Sequence, residues 1–318
     1  MSGPTDVALT DTGGWAAERS APCPPPASQA PPLPAQNALP PSLLARAYLF
    51  VPGNRPERFA KALASGADRV ILDLEDAVLP ADKALARSAI AAWVATLDVA
   101  TRARLLVRIN DATTPWYVED LAWLPGSLLS HAMLSKCEHP AQVAAVCERL
   151  PAQGTVLPLL ETARGVLAAQ TIAAAPQVAR LAFGSLDYLL DLDLPGPGFA
   201  LDSAATTLAM ASRAADLPAP LAGVTAALDL DQLQADLAHA RSLGYGAKMC
   251  IHPTQVALVR EAFQPDAQAL AWAQRVVSAW QQADGSGAIQ VDARMVDKPV
   301  LLRAERILAQ AGQSLQSL

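Results

Sequence analysis

The sequence predicts an α/β fold in which eight parallel strands close into a (β/α)8 TIM barrel, followed by a C-terminal helical extension. Two observations carry this prediction. Short apolar runs alternate with alanine-rich segments of helical spacing, and the unit recurs eight times within the chain. A doubly wound open sheet is the alternative, but no GxGxxG or GxxxxGK motif follows any of the apolar runs, so its usual nucleotide sites are missing.

The apolar runs predict strands at residues 47–51, 70–74, 105–109, 132–134, 156–160, 181–183, 220–224 and 247–251. The segments between them predict helices at residues 58–64, 83–97, 140–150, 165–173, 204–215 and 230–243. Beyond the last strand, helical spacing returns at residues 255–263, 268–282 and 300–311, and a Gly/Ser linker at 284–287 interrupts it.

Composition divides the chain into three parts. Residues 1–42 form a tail rich in proline and alanine, residues 43–263 form the barrel, and residues 264–318 form a helical extension. The tail has too little apolar surface to order itself, so we expect it to be flexible. It also lacks the basic start and apolar centre of a secretory signal.

Charge and composition exclude several classes of function. The chain has 318 residues, is 52% hydrophobic and carries a net charge of −6 without a cluster of Lys and Arg, so we expect no nucleic-acid partner. No apolar run approaches the roughly 20 residues that a membrane helix needs. Cys23, Cys137, Cys147 and Cys250 show no CxxC spacing and are interpreted as free thiols, which favours a cytoplasmic location.

Two carboxylates follow apolar runs on successive predicted strands. Glu161 comes directly after the run at 156–160, and Asp187 follows the run at 181–183. A carboxylate at the end of a buried strand is costly unless it is paired or holds a cation. Two such groups can hold one Mg²⁺ and leave its other positions open for substrate and water. The pair therefore predicts metal-assisted chemistry.

Arg108 lies inside the apolar strand at 105–109. A guanidinium group in such a place calls for a planar anion, because its donors match a carboxylate in a bidentate fashion. Two partners are open at this point: the carboxylate of a substrate, or a structural ion pair with Glu75 or Asp76.

Other strand ends carry further polar groups. The turn at 52–55 presents Arg55, with Lys61 in the helix that follows, which is a weak signal for phosphate binding. Lys136 and Lys248 are alternative Schiff-base nucleophiles, since burial can depress the pKa of a lysine. His252 precedes a proline and is interpreted as shaping a loop.

Several ordered segments then resemble a known family. The residues at 46–55, 72–78, 107–110, 160–163, 183–187, 248–253 and 295–297 are similar, in this order, to the citrate lyase beta-subunit / malyl-CoA lyase family of CoA-ester lyases. The resemblance runs from about residue 46 to residue 308. One departure is Ala293, which stands where the family usually has glycine.

The resemblance implies a Mg²⁺-dependent homotrimer that cleaves or forms the carbon–carbon bond between an acyl-CoA enolate and a keto acid. It implies Glu161 and Asp187 as metal ligands, with Glu75 and Asp76 holding metal-bound waters. It implies Arg108 as the group that binds the substrate carboxylate.

The resemblance also implies a lid and a coenzyme A pocket. Asp297 would reach into the site of a neighbouring subunit as the acid/base. The residues implied for the acyl-CoA pocket are Phe50, Arg55, Lys61, Ile251 and His252. Three rival functions stay open: a metal-dependent aldolase acting on free keto acids, a malate-synthase-like or thioesterase-like enzyme on the same scaffold, and a binding or regulatory protein without turnover.

Overall fold

The computed structural model describes residues 45–283 and 288–312, together with Met1 and Gly3. The predicted tail at 1–42 lies outside the described residues except for Met1 and Gly3. Cys23 and the predicted linker at 284–287 also lie outside them. Cys137, Cys147 and Cys250 are free thiols. Within the described ranges, no helix has the length and apolar character needed to cross a membrane.

Eight parallel strands close into a barrel. Each strand pairs with the next, and β8 pairs with β1, so the sheet has no open edge. The strands are β1 (Ala47–Pro52), β2 (Arg69–Asp73), β3 (Leu105–Ile109), β4 (His131–Leu134), β5 (Thr155–Leu160), β6 (Ala182–Phe183), β7 (Leu221–Ala222) and β8 (Ala247–Cys250). The predicted TIM barrel is therefore confirmed, and its strands match the eight apolar runs. β6 and β7 are shorter than predicted.

Helices surround the barrel and continue beyond it. They are α1 (Phe59–Ala64), α2 (Lys83–Ala95), α3 (Val99–Arg102), α4 (Pro115–Trp123), α5 (Pro140–Cys147), α6 (Ala163–Leu167), α7 (Ala169–Ala173), α8 (Ser185–Asp191), α9 (Phe199–Ala214), α10 (Leu230–Ser242), α11 (Val256–Ala262), α12 (Ala267–Gln282) and α13 (Lys298–Gln310). The single helix predicted at 165–173 is wrong, because the backbone leaves the helical region at Ala168 (φ −90°, ψ 1°) and separates α6 from α7.

Two apolar clusters fill the lumen and the layer between strands and helices. Successive residues of a strand point to opposite faces, so they belong alternately to the two clusters. On β1, Tyr48 belongs to the lumen cluster, whereas Leu49 packs outward with helix residues such as Phe59. The lumen cluster comprises Ala45, Tyr48, Ile71, Leu106, Met133, Leu157, Leu159, Ala182, Leu221, Ala247 and Met249. Side chains two residues further along the strands form the next layer towards the carboxyl ends.

The C-terminal extension has an apolar cluster of its own. An antiparallel hairpin of β9 (Ile289–Val291) and β10 (Arg294–Val296) lies between α12 and α13, and Val296 packs with residues of both helices. The turn residues Asp292 and Ala293 have φ values of 51° and 59°. A two-residue hairpin with both φ values positive favours Asn or Gly, so Ala293 holds a strained conformation where the family usually has glycine.

A chain of buried polar side chains fixes the loops that follow β2 and β3. Lys83 Nζ donates to the two carbonyl oxygens of residues 74 and 75 at 2.8 and 3.0 Å, and to Asn110 Oδ1 at 2.7 Å. Asp120 in turn accepts hydrogen bonds from the backbone N and Nδ2 of Asn110 and from Arg87 Nη1. Because each group is satisfied by the next, the loops at the mouth of the barrel have a fixed conformation.

We expect Asp120→Ala to lower the free energy of unfolding by about 3 kcal/mol or more, which is typical of a broken buried charge pair. Asp120 is fully buried, and its removal leaves the donors of Asn110 without a partner and deprives Arg87 of its buried carboxylate. Urea unfolding measures the change. Glu119→Ala is the matched control, because Glu119 pairs with the same Arg87 from the exposed side. Its cost should stay below about 1 kcal/mol, and equal costs for the two variants would contradict this account.

Candidate active site at the carboxyl ends of the strands

A polar layer lies above the apolar lumen. Its members each stand two residues beyond a member of the lumen cluster, so their side chains point towards the barrel axis. The charged and aromatic members are Phe50, Asp73, Arg108 and Glu161. In TIM barrels the loops at this face carry the catalytic groups.

Asp73 and Arg108 form a bidentate ion pair. They are register partners on β2 and β3, and Arg108 Nε and Nη2 each lie 2.7 Å from an oxygen of the Asp73 carboxylate. The ring of Phe50 packs on the guanidinium, with 4.8 Å between the guanidinium carbon and the ring centroid. Burial alone would lower the pKa of Arg108, but the carboxylates of Asp73 and its neighbours outweigh burial and raise it. Arg108 is therefore a fixed cation.

The remaining nitrogen of Arg108 faces two acids. Nη1 lies 2.6 Å from Glu75 Oε2 and 3.4 Å from Asp76 Oδ2. Both contacts are ion pairs, so Glu75 and Asp76 hold this nitrogen in the described chain. Both structural partners considered for Arg108 therefore lie beside it, and Asp73 adds the bidentate pair.

Lys136 lies at the centre of the acidic groups. Its Nζ is 3.0 Å from Glu75 Oε1 and 3.6 Å from Asp187 Oδ1, and its backbone N donates to Glu161 Oε1 at 2.8 Å. Its backbone adopts the left-handed region (φ 44°), which is uncommon for a residue with a side chain. Burial lowers the pKa of Lys136, but the surrounding carboxylates, Glu75 foremost, raise it by more. We call Glu75, Glu161 and Asp187 the acidic cluster.

Glu161 is the most buried member of the acidic cluster. It is 1% exposed, and burial raises its pKa well above 4.5, with the charges of Glu75 and Asp187 adding to the effect. Its position depends on Gly184, because a Cβ at Gly184 would overlap Glu161 Oε2. The side chain of Glu161 thus occupies the space that a larger residue at 184 would fill.

The placement predicted for Asp187 needs a correction. Asp187 does not end a buried strand: β6 stops at Phe183, and Asp187 lies in the first turn of α8 with its side chain 33% exposed. A carboxylate in the first turn of a helix is stabilised by the unpaired N–H groups there. The cost of burying a carboxylate at a strand end therefore applies to Glu161 and not to Asp187. Both carboxylates nevertheless contact Lys136.

A protein-family model described as HpcH/HpaI aldolase/citrate lyase matches residues 46–253, which is more than half of the chain. The chain belongs to this family. The resemblance found in the sequence is therefore confirmed, and the family match spans the whole barrel from β1 to the end of β8.

Individual members of the HpcH/HpaI family match over most of their length. A citrate lyase subunit beta-like protein of Mycobacterium tuberculosis is 38% identical over 274 residues, covering 84% of this chain and 96% of the relative. A (3S)-malyl-CoA thioesterase of Cereibacter sphaeroides is 31% identical over 270 residues, covering 84% of this chain and 94% of the relative. The crystal structure of protein CitE from Mycobacterium tuberculosis, in complex with magnesium, acetoacetate and coenzyme A, aligns with a TM-score of 0.73 at 36% identity, covering 85% of this chain and 98% of that one.

Other predicted site residues of this HpcH/HpaI family member lie on the rim of the barrel mouth. Asp76 has a side chain that is 59% exposed. Arg55 is half exposed and donates from Nε to Glu57 Oε1 at 2.7 Å. Lys61 is exposed on α1. Arg55 and Lys61 thus offer their charges to solvent near the end of β1, and nothing in the described chain brings them into contact with the acidic cluster.

Ile251 and His252 follow β8 and are both exposed. His252 Nδ1 lies 2.8 Å from Thr254 Oγ1, and the side chain caps the turn at Pro253–Gln255. This agrees with its interpretation as a residue that shapes a loop.

Asp297 lies outside the barrel mouth within the single chain. It is the N-cap of α13, where its Oδ1 accepts a hydrogen bond from Val300 N at 3.2 Å. Among the described residues, no hydrogen bond or ion pair joins it to Lys136, Arg108 or the acidic cluster. Its role as an acid/base supplied to a neighbouring subunit stays a prediction.

The two lysines considered as Schiff-base nucleophiles differ in position. Lys136 is held as an ammonium by the acidic cluster, which does not suit a nucleophile. Lys248 alternates with the lumen residues Ala247 and Met249, so it faces the helices, where its Nζ donates to Gly223 O at 2.6 Å. Burial lowers the pKa of Lys248, but the group points away from the lumen.

Within the described chain, no group of three or more His, Cys, Asp and Glu residues is arranged to hold a metal ion. A site that uses only two carboxylates is a different case, because Mg²⁺ commonly keeps waters and substrate oxygens as ligands. Glu161 and Asp187 are two carboxylates that both contact Lys136 at this mouth.

In the metal-free protein, we expect Glu161→Gln to raise the free energy of unfolding at neutral pH. The raised pKa of Glu161 means that the folded protein binds more protons than the unfolded chain at pH values above about 4.5. Stability therefore falls as the pH rises from there towards the folded-state pKa, and glutamine removes this fall. Urea unfolding from about pH 4 to about pH 8 with a chelator present measures it.

Glu148→Gln provides the control for this measurement, because Glu148 is exposed at the C-terminal end of α5. It should leave the pH dependence of unfolding as it is in the wild type. Parallel pH profiles for the wild type and Glu161→Gln would show that the buried charge of Glu161 does not control stability.

Proposed function

We propose that this chain is a Mg²⁺-dependent CoA-ester lyase, which cleaves or forms the carbon–carbon bond of a 3-hydroxyacyl-CoA of the citryl-, malyl- or citramalyl-CoA type. Membership of an aldolase and citrate lyase family supports carbon–carbon lyase activity. The observation that carries the proposal is the acidic cluster: Glu75 and Asp187 pair with the ammonium of Lys136, Glu161 accepts a hydrogen bond from the Lys136 backbone N–H, and the fixed cation Arg108 lies beside Glu75.

The charges of the site support a divalent cation. The carboxylates of Asp73, Asp76 and the acidic cluster lie near three cationic side chains in the described chain: Arg108 and Lys136, which form ion pairs with them, and Lys83, which does not. Burial raises the pKa of Glu75 and of Glu161, and the charges of neighbouring carboxylates add to the rise, so negative charge at this mouth is under-compensated. Glu161 and Asp187 would hold Mg²⁺, and the CitE relative was crystallised with magnesium, acetoacetate and coenzyme A.

When bound, Mg²⁺ would act as a Lewis acid towards the oxygens of the keto acid. The remaining work falls to side chains. Arg108 Nη1 is the nitrogen not engaged by Asp73, and it would bind a substrate carboxylate by exchanging its contacts with Glu75 and Asp76. The Asp73 pair and the Phe50 ring fix the direction of this nitrogen, which lowers the cost of orienting the substrate.

The bond-breaking step is a retro-Claisen cleavage. A base removes the proton from the 3-hydroxyl group, the oxygen forms the carbonyl of the keto acid, and the electron pair of the C2–C3 bond passes to C2 of the thioester as an enolate. Protonation of C2 then gives the acyl-CoA. We assign the base to Asp297 of a neighbouring subunit in a homotrimer, since the acidic cluster is committed to the cation and a carboxylate can act as a general base.

The acyl-CoA would lie along the rim near the end of β1 and β8. Arg55 and Lys61 offer exposed positive charge for the phosphates of coenzyme A. Ile251 is 40% exposed and provides apolar contact beside His252. A cytoplasmic location accompanies this proposal, because its free thiols favour a reducing compartment.

A thioester hydrolase is the second candidate, because a (3S)-malyl-CoA thioesterase is 31% identical over most of the chain. The two activities give different products from malyl-CoA. A lyase releases glyoxylate and acetyl-CoA, whereas a hydrolase releases malate and free coenzyme A. Product analysis distinguishes them, and incubation with acetyl-CoA and glyoxylate tests the condensing direction.

We expect Asp187→Ala to abolish Mg²⁺-dependent turnover of a 3-hydroxyacyl-CoA, because one of the two proposed ligands is lost while the fold is retained. Activity assays, calorimetry with Mg²⁺ and circular dichroism measure these effects together. Asp191→Ala is the matched control: Asp191 lies one turn later on α8 and accepts a hydrogen bond from Ala163 N at 2.7 Å, outside the acidic cluster. Full activity in Asp187→Ala would contradict the metal assignment.

A mixing experiment tests whether the site is shared between subunits. Asp297→Ala and Arg108→Ala should each be inactive alone. Assembly of the two variants together should restore part of the activity, because some sites then combine an intact Asp297 from one subunit with an intact Arg108 from another. If the mixture stays inactive while the subunits are shown to exchange, Asp297 does not act across a subunit boundary.

A further inference from the structure

A second polar cavity lies at the opposite end of the barrel, at the amino ends of the strands. It has a volume of about 180 Å³. Arg69, His131 and Thr155 are the first residues of β2, β4 and β5, and Arg180 precedes β6. The apolar lumen cluster separates this cavity from the acidic cluster.

The lining of this cavity is cationic and carries no acid. Its residues are Tyr48, Arg69, Leu106, His131, Gln153, Thr155, Leu157, Ala179, Arg180 and Pro218. The neighbouring carboxylate of Asp68 already accepts hydrogen bonds from the backbone N–H groups of Arg46 and Ala47 and forms an ion pair with Arg260. Two guanidinium groups therefore share a confined space in a protein whose net charge is −6.

Both arginines use only part of their donor capacity. Arg180, which is 4% exposed, donates from Nε to Ala219 O at 2.6 Å and from Nη1 to Ala45 O at 2.7 Å, and its Nη2 has no partner among the described residues. Arg69 donates from Nη1 to Ala103 O, and its Nε and Nη2 are similarly unpartnered within the described ranges. None of these three nitrogens is among the fully buried atoms that lack a hydrogen-bond partner. Each nitrogen is therefore at least partly accessible to solvent.

His131 adds a neutral donor to the same cavity. Its Nδ1 lies 2.8 Å from Thr155 Oγ1, and its Nε2 has no partner in the described chain. Burial, together with the charge of Arg69, lowers the pKa of His131 to about 4. The ring is therefore neutral at physiological pH and responds to the charge of whatever lies beside Arg69.

We propose that this cavity binds a small oxyanion, in the form of inorganic phosphate or a carboxylate, between Arg69, Arg180 and His131. Guanidinium donors fit the oxygens of either group. An anion would compensate two charges that the lining leaves unbalanced. The alternative is that the arginines serve only to hold the carbonyl groups of Ala45, Ala103 and Ala219.

The ring resonance of His131 gives a local readout of binding. We expect inorganic phosphate, titrated at constant ionic strength with chelator present, to shift the His131 Hε1 signal along a saturable curve and to raise the pKa of the ring, because a nearby anion stabilises its protonated form. Malonate serves as the carboxylate arm, and sodium chloride at equal ionic strength serves as the screening arm. A saturable response to phosphate or to malonate supports the site and identifies which oxyanion it prefers.

Substitutions of Arg69 distinguish an anion-binding site from the alternative, in which the arginines only donate hydrogen bonds to backbone carbonyl groups. Arg69→Met should weaken phosphate binding by about tenfold or more. Arg102→Met is the matched control, since Arg102 donates Nε and Nη2 to Leu97 O and does not line the cavity. Arg69→Gln removes the charge but keeps a polar amide donor, and it serves if Arg69→Met does not fold. A His131 signal that follows chloride as closely as the oxyanions, or binding that is unchanged in the Arg69 variant that folds, would overturn the proposal.

Discussion

Asp73 and Arg108 stand opposite each other on β2 and β3, so that a buried acid and a buried base compensate one another inside the barrel. Neither charge would be tolerable alone at that depth, because a buried ion needs a partner with good geometry. Their pairing has a further effect at the mouth. It fixes the direction of Nη1, the remaining nitrogen of Arg108, which pairs with Glu75 and Asp76 while the Phe50 ring packs on the guanidinium.

The acidic cluster depends on a different compensation. Lys136 holds Glu75 and Asp187 through its side chain and Glu161 through its backbone, so one residue organises all three carboxylates. The left-handed backbone at Lys136 directs both contacts to the same place. Strain in the backbone persists where the surroundings determine it strongly, and here the ion pairs supply that determination. A metal cation bound by the acidic cluster would share the carboxylates with the ammonium group of Lys136.

The fold was predictable because closed barrels repeat a local signal, and the apolar runs mark every strand. The site was only partly predictable. An acid within the run at 70–74 was visible, but the pairing of Asp73 with Arg108 depends on strand register, which single-strand patterns do not reveal. Asp187 was assigned to a strand end because β6 is too short to be separated by pattern from the first turn of α8. Lys136 was considered as a nucleophile, whereas its three carboxylate partners follow three different strands, β2, β5 and β6.

Lys83 was missed for a related reason. It begins α2, where a lysine would ordinarily extend into solvent, and nothing in its local pattern indicates that it turns inward to the loop at 74–75. Its third hydrogen bond reaches Asn110 after β3, and this contact depends on the pairing of β2 with β3 and not on any one element.

Gly184 bears on which related sequences can hold a glutamate in the position of Glu161. Since the carboxylate of Glu161 occupies the space beside its Cα, a gene in which position 184 encodes any larger residue cannot keep Glu161 where it lies here. Such a protein could retain the whole barrel and still lose one of the two carboxylates of the proposed cation site. We therefore expect glycine at this position in any relative that keeps a glutamate where Glu161 lies here.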